Sequence, residues 1–237
     1  MGPESSRLPH RYQAPWRKSF DDPIFERLEG GSSVLDIGSG RHPAIPLCRR
    51  PEKVRYVGLD ISREELLEAG PDAYSESVAA DATILQPQLL NQFDLVISWQ
   101  VLEHVKDLES TLENIRQYLK PGGLFVALFS GSWSAFGVIN RLLPNWLGKK
   151  IVDRTMKRTE NNIPVFPAYY DRCSAGALES MFARWGVPEA EIVPLYRGAN
   201  YFDFLPPLRR VYLGYENMIH KRQTAGLATH YLVKAVR

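Results

Sequence analysis

Short runs of apolar, β-rich residues recur through the first half of the chain, separated by stretches whose apolar positions fall three and four apart. Val34–Ile37, Val54–Leu59, Phe93–Ser98 and Leu124–Phe129 are continuous enough to be buried on both faces, as parallel strands covered by helices are, and a weaker strand fits Ser77–Ala80. The helices between them carry end signals. Ser62 with Glu65 three residues on makes a capping box ahead of Leu66 and Leu67, and Leu108, Leu112, Ile115 and Leu119 form one apolar stripe that Pro121-Gly122-Gly123 should stop. Before the first strand, Asp22-Pro23 predicts a helix start and Gly30-Gly31 its end, while Pro3, Pro9 and Pro15 among basic and aromatic residues predict an irregular arm. A helix at Ser174–Trp185, a strand near Ile192 and a strand over His230–Val236 complete the alternation, which specifies an α/β fold.

Two stretches break the rhythm. Residues 131–172 carry Trp133, Phe136, Trp146, Phe166, Tyr169 and Tyr170 among basic residues, too long and too apolar for a connection, and predict a helical lid after the fifth strand. A second insertion is expected over 196–226. With residues 1–30 as arm and helix, the chain is expected to form a single domain over 1–237, a length that suits one well-buried core.

Charge and cysteine usage narrow the function classes. A net charge of +2 is too small for a dedicated nucleic-acid binder, so no nucleic-acid partner is expected. Cys48 and Cys173 stand far apart and outside any metal-ligand spacing, which fits two reduced thiols in a cytoplasmic protein. No apolar run approaches the ~20 residues that cross a bilayer. The basic run from Lys149 to Arg158 suits a solvated helix face, with contact to phosphates or a lipid headgroup as the alternative. Oligomeric state stays open.

The stretch richest in chemistry is Val34-Leu35-Asp36-Ile37-Gly38-Ser39-Gly40, a buried strand running into two glycines. Glycine is required where the backbone turns with positive φ or lies against a ligand. A dinucleotide fingerprint wants a third small residue where this chain has Pro43, which disfavours NAD and FAD. Asp60 ends the next strand about twenty residues on, placed to accept both ribose hydroxyls of an adenosine, and Asp81 follows the third strand, where an acid can accept from an exocyclic amine. Each of these acids taken singly could instead cap a turn.

In VLDIGSG, VGLDIS, AADAT, FDLVISWQVLEHV and LKPGG, all in family order over roughly Ser32–Leu128, the chain resembles the class I methyltransferases that use S-adenosylmethionine (SAM), within them the small-molecule group with a V-L-E-H-V segment after the fourth strand. The resemblance implies a Rossmann-like, mostly parallel seven-stranded sheet flanked by helices. It places Asp36, Gly38 and Gly40 beside the methionine part of SAM, Asp60 on the ribose, and Asp81 with Ala82 at the adenine. Ser39, Ile61, Ser98 and Trp99 are the further candidate cofactor-lining residues. His104 is implied to lie near the reacting centre, as a base for the acceptor or as a cap of the following helix. Relatives that hold a divalent metal use E-x-x-E-H; this chain has Gln100 in place of the first carboxylate, so no metal is expected. The base-amine motif (Asp/Asn)-Pro-Pro-(Tyr/Phe) is absent, with Ser98-Trp99-Gln100 in its place.

The expected partner is a small or medium acceptor, methylated most readily at a hydroxyl. The rivals are N-methylation, an RNA or protein substrate, and an inactive SAM-binding scaffold. Tyr12 and Trp16 of the arm and Tyr169, Tyr170 and Arg172 at the end of the lid are the candidate acceptor contacts; packing of the lid onto the sheet is the competing role for the aromatics. Arg41 and His42 are placed either to orient the SAM carboxylate or to cap the next helix.

Overall fold

The computed structural model describes residues 8–13, 16–135, 137–138, 167–187, 190–203 and 205–237. Seven strands form one sheet: β1 Ser33–Ile37, β2 Arg55–Asp60, β3 Glu76–Ala79, β4 Phe93–Trp99, β5 Leu119–Ser130, β6 Glu191–Leu195 and β7 His230–Val236. Their spatial order is β3-β2-β1-β4-β5-β7-β6, and every neighbouring pair is parallel except those made by β7. All seven expected strands are present. The fifth is longer than its apolar run, because Leu119 already pairs with Phe93 and the Pro121-Gly122-Gly123 segment lies within a register irregularity of the strand.

The central strands β1, β2, β4, β5 and β7 bury both faces because helices cover both, while the edge strands β3 and β6 stay partly exposed. On one side α1 (Trp16–Phe25) lays Phe20 and Ile24 against Val34, Leu95, Ile97 and Leu128. On the other, α3 (Leu108–Tyr118) and α4 (Ala175–Arg184) pack Leu112, Ile115, Leu178 and Phe182 over Leu35, Val96, Phe125 and Val233. α2 (Arg63–Glu68) follows β2, and α5 (Pro206–Lys221) fills the second insertion together with a 3₁₀ turn at Ala199–Phe202. The interior of the predicted lid, residues 139–166, lies outside the described residues, as do Phe136 and the basic run from Lys149 to Arg158.

Cap chemistry decides several boundaries. Asp107 accepts from the Ser110 amide at the start of α3, and Ser62 accepts from the Glu65 amide at the start of α2. Only half of the expected capping box forms there: the Ser62 amide goes to Asp60, and the Glu65 carboxylate turns to Arg41. The first helix begins earlier than Asp22-Pro23 suggested. Trp16, Phe20 and Ile24 share a stripe at four-residue spacing, and burying that stripe outweighs the backbone bond that Pro23 forfeits inside the helix.

Candidate cofactor and acceptor site

In an open parallel sheet the chain order reverses between β1 and β4, which leaves a crevice at the carboxyl ends of those strands. Gly38, Asp60, Asp81 and Trp99 all stand at that edge, at or just after the ends of β1, β2, β3 and β4. The bend after β1 needs its glycines: φ is +71° at Gly38 and +49° at Gly40. A Cβ at Gly38 would come within 2.3 Å of both Val101 methyls, so the strand end and the loop after β4 close on each other only without a side chain there. Gly58 in β2 serves the same packing, giving room to the Tyr74 ring and to the buried Ser39 hydroxyl.

Asp36 is 1% exposed and lies beneath the bend. Its Oδ2 accepts from the Ala44 amide and from the Tyr56 hydroxyl, each at 2.7 Å, and the same hydroxyl accepts from the Ile45 amide at 3.0 Å. Burial pushes its carboxyl up to about 6. The carboxylate therefore fixes the segment after the glycines from inside. Asp60 Oδ1 accepts from the Ser62 amide at 2.8 Å, the Gly40 amide also reaches this carboxylate, and burial raises its pKa above the ordinary carboxylate range. Asp81 Oδ1 takes both the Thr83 amide and the Thr83 hydroxyl, while the Ala82 carbonyl is tied to Asn114. Ile61 is an exposed apolar side chain next to Asp60, and Ser98, fully buried, donates to the Ile37 carbonyl and so joins the ends of β4 and β1. Arg41 forms ion pairs with Glu65 and Glu68 of α2.

The acceptor candidates divide. Trp16 comes to the edge, edge-on to Trp99 at 5.2 Å and to His230 at 5.0 Å between ring centroids. Tyr12 instead gives its hydroxyl to Glu216 of α5 and receives the Ala199 amide, anchoring the arm to the second insertion. Tyr170 is buried and Tyr169 exposed; both of their amides donate to the Glu103 carbonyl. Arg172 is held by Glu109, Asp107 and Asp171 near the start of α3, so its charge is already matched by carboxylates. His104 Nδ1 sits 3.0 Å from the Pro167 carbonyl. A carbonyl only accepts, so Nδ1 carries a proton here, and in the neutral ring that tautomer leaves the lone pair on Nε2.

Four further residues, none marked by a local sequence signal, meet at this edge. Glu103 Oε1 accepts from the amide and hydroxyl of Ser130, Ser130 is the register partner of His230 across β5 and β7, and the Tyr201 hydroxyl lies 3.2 Å from His230 Nε2. Sequence separations of 27 to 100 residues hid this cluster. Only the antiparallel reversal of β7, which returns its first residue to the end of β5, brings it together.

Sheet order, glycine bend and acids together define a Rossmann-like, nucleoside-binding α/β protein. A family model described as a methyltransferase domain matches residues 9–198, and the chain belongs to that family, among the class I SAM-dependent methyltransferases. A ubiquinone biosynthesis O-methyltransferase of Bradyrhizobium diazoefficiens is 29% identical over 167 residues, covering 60% of this chain and 65% of that protein. One from Chelativorans sp. is 30% identical over 124 residues, 49% of this chain and 48% of that protein. The chain thus spans about half to two thirds of the length of these curated relatives. Among solved structures, a SAM-dependent methyltransferase from Mesorhizobium loti superposes with a TM-score of 0.56 at 20% identity, covering 93% of this chain and 98% of that one. A methyltransferase of Haloferax volcanii, solved in complex with the activator Trm112, gives 0.58 at 21%, covering 93% and 89%. These structures share the fold.

Proposed function

We propose that the chain is a single-domain methyltransferase that uses SAM to methylate a hydroxyl of a small or medium acceptor such as a metabolite, glycan precursor or lipid. The observation that carries this reading is the convergence of Gly38, Gly40, Asp60 and Asp81 on one edge of the sheet beside the β1–β4 reversal. The names of the ubiquinone-pathway relatives support oxygen as the methylated atom.

Under this reading Asp60 accepts the ribose hydroxyls, and Asp81 with Ala82 borders the adenine beside the apolar face of Ile61. The Gly38-Ser39-Gly40 bend, stiffened from below by Asp36, lies along the methionine part, and Ser98 and Trp99 form the floor. SAM supplies the methyl group, activated on a sulfonium. The protein's own work is to align the acceptor, exclude water and take up the hydroxyl proton. His104 is the base: the Pro167 carbonyl fixes its tautomer and leaves Nε2 free to accept. Trp16, Tyr169 and Tyr170 wall the acceptor.

The test is direct. Labelled SAM should bind the purified protein, and Asp60→Ala should weaken that binding by about 10- to 100-fold, the worth of hydrogen bonds to a charged group. Unchanged affinity would remove Asp60 from the site. His104→Gln should lower kcat by about 10²-fold or more with SAM affinity intact. Locating the transferred methyl on an isolated product decides between oxygen and nitrogen.

A further inference from the structure

Glycines permit a left-handed turn and also leave it loose, so a bend that must meet a ligand in one shape needs support from outside. Gly40 has such support. Its carbonyl accepts from the Tyr74 hydroxyl at 2.6 Å, across 34 residues of sequence. Tyr74 stands on the connection between α2 and β3, and its ring reaches the bend by crossing β2 at Gly58, where a Cβ would stand 2.5 Å from ring carbon Cε1. Burial above all raises the Tyr74 pKa, so the hydroxyl keeps its proton and donates.

The ring is itself braced. It stacks on Tyr56, with centroids 6.2 Å apart and planes 19° from parallel, and the Arg50 guanidinium lies over the Tyr56 ring at 3.5 Å. Arg50 donates to the Ile45 carbonyl at 2.8 Å and to the Ala73 carbonyl at 2.6 Å, which ties the segment after the bend to the residue before Tyr74. The two tyrosines grip that segment at two points: Tyr74 at Gly40, and Tyr56 at Ile45 directly and at Ala44 through Asp36.

A ring that served only to pack the α2–β3 connection has no use for a hydroxyl on the Gly40 carbonyl. We propose that Tyr74 is a positioning residue for SAM: its hydroxyl holds the peptide between Gly40 and Arg41 in the orientation that receives the methionine part, and so sets the affinity for that half of the cofactor. The proposal rests on the methyltransferase reading above and adds the residue that preorganises its bend. The nucleoside half is held differently. Asp60 takes the Ser62 amide at 2.8 Å as well as the Gly40 amide, and the Ser62 bond is independent of Tyr74. Loss of the Tyr74 hydroxyl therefore loosens one half of the site and leaves the acid of the other in place.

The experiment titrates the full chain, wild type and Tyr74→Phe, with S-adenosylhomocysteine and with 5′-methylthioadenosine, which keeps the nucleoside and lacks the amino-acid end. The variant retains the ring and its stacking. S-adenosylhomocysteine should bind it about 5- to 30-fold more weakly, the factor that corresponds to freezing one residue's backbone on binding. 5′-Methylthioadenosine should bind both proteins within about twofold, whereas a general structural defect would weaken the two ligands alike. Amide hydrogen exchange on the ligand-free proteins is the second measurement: residues 38–44 should lose protection in the variant while β1 and β4 keep theirs. Equal weakening of the two ligands, an unchanged S-adenosylhomocysteine affinity, or a loss of protection that spreads through β1 and β4 overturns the positioning role while the methyltransferase reading stands. Failure of the wild type to bind S-adenosylhomocysteine would bring down both.

Discussion

Replacing Asp36 by asparagine should change how stability responds to pH more than it changes stability itself. The carboxyl titrates at about 6 in the folded protein against 3.8 in the unfolded chain, because burial opposes its charged form more than the Tyr56 hydroxyl and the Ala44 amide favour it. Between those values the native state holds the proton and the unfolded state does not, so raising the pH costs stability. The shift of about 2.2 units at about 1.4 kcal/mol each sets a full effect near 3 kcal/mol, present below pH 4 and lost by pH 7. Integrating the linkage between pH 5 and 7.5 leaves about 1.4 kcal/mol in an accessible window. His230 works in the opposite sense, since its depressed value adds stability as the pH rises towards 6.5. The wild-type curve alone therefore mixes the two. The difference between wild type and Asp36→Asn isolates the carboxyl, because asparagine keeps an oxygen for the Ala44 amide and cannot titrate. Urea unfolding at pH 5, 6 and 7.5, with both proteins measured in parallel, should show the variant gaining on the wild type by about 1 to 1.5 kcal/mol across the series. Two lines that run parallel would refute the placement of a buried, titrating acid beneath the glycine bend.

Other perturbations separate bend, arm and surface. Gly38→Ala combines a left-handed backbone with a clash against Val101 and should cost at least about 1–3 kcal/mol, seen as a fall in Tm, with SAM binding weakened alongside. Tyr12→Phe removes a hydroxyl shared by the fully buried Glu216 and the Ala199 amide; a loss of about 1–3 kcal/mol in urea unfolding is expected. Arg172→Ala breaks three ion pairs that are all partly exposed and should cost less than about 1 kcal/mol by the same measurement.

What the sequence revealed depended on the range of the interaction. The strands were legible because parallel strands buried on both faces read as unbroken apolar runs, and the glycines of the bend because their φ values leave little alternative. Asp60 and Asp81 could be placed on one edge because each directly follows a strand whose direction the alternation fixes. The first helix was misjudged by one local signal, Asp22-Pro23, against a stripe starting at Trp16. Tyr12 and Arg172 carried suitable chemistry, yet their partners, Glu216 and Glu109, are remote in sequence and decided where they point. The pairing of Glu103 with Ser130, and of His230 with Tyr201, needed the third dimension.

The reversal of β7 also ties together the two ends of the sheet. Its first residue, His230, pairs with Ser130 at the edge that carries the glycine bend, while Arg237 just beyond its other end exchanges backbone bonds with Gly122 and Gly123 at the opposite end of the strands, roughly 20 Å away by strand rise. One strand thus couples the two ends of the sheet, so a change of register in β7 would shift His230 at one end and the Arg237 pairing with Gly122 and Gly123 at the other together.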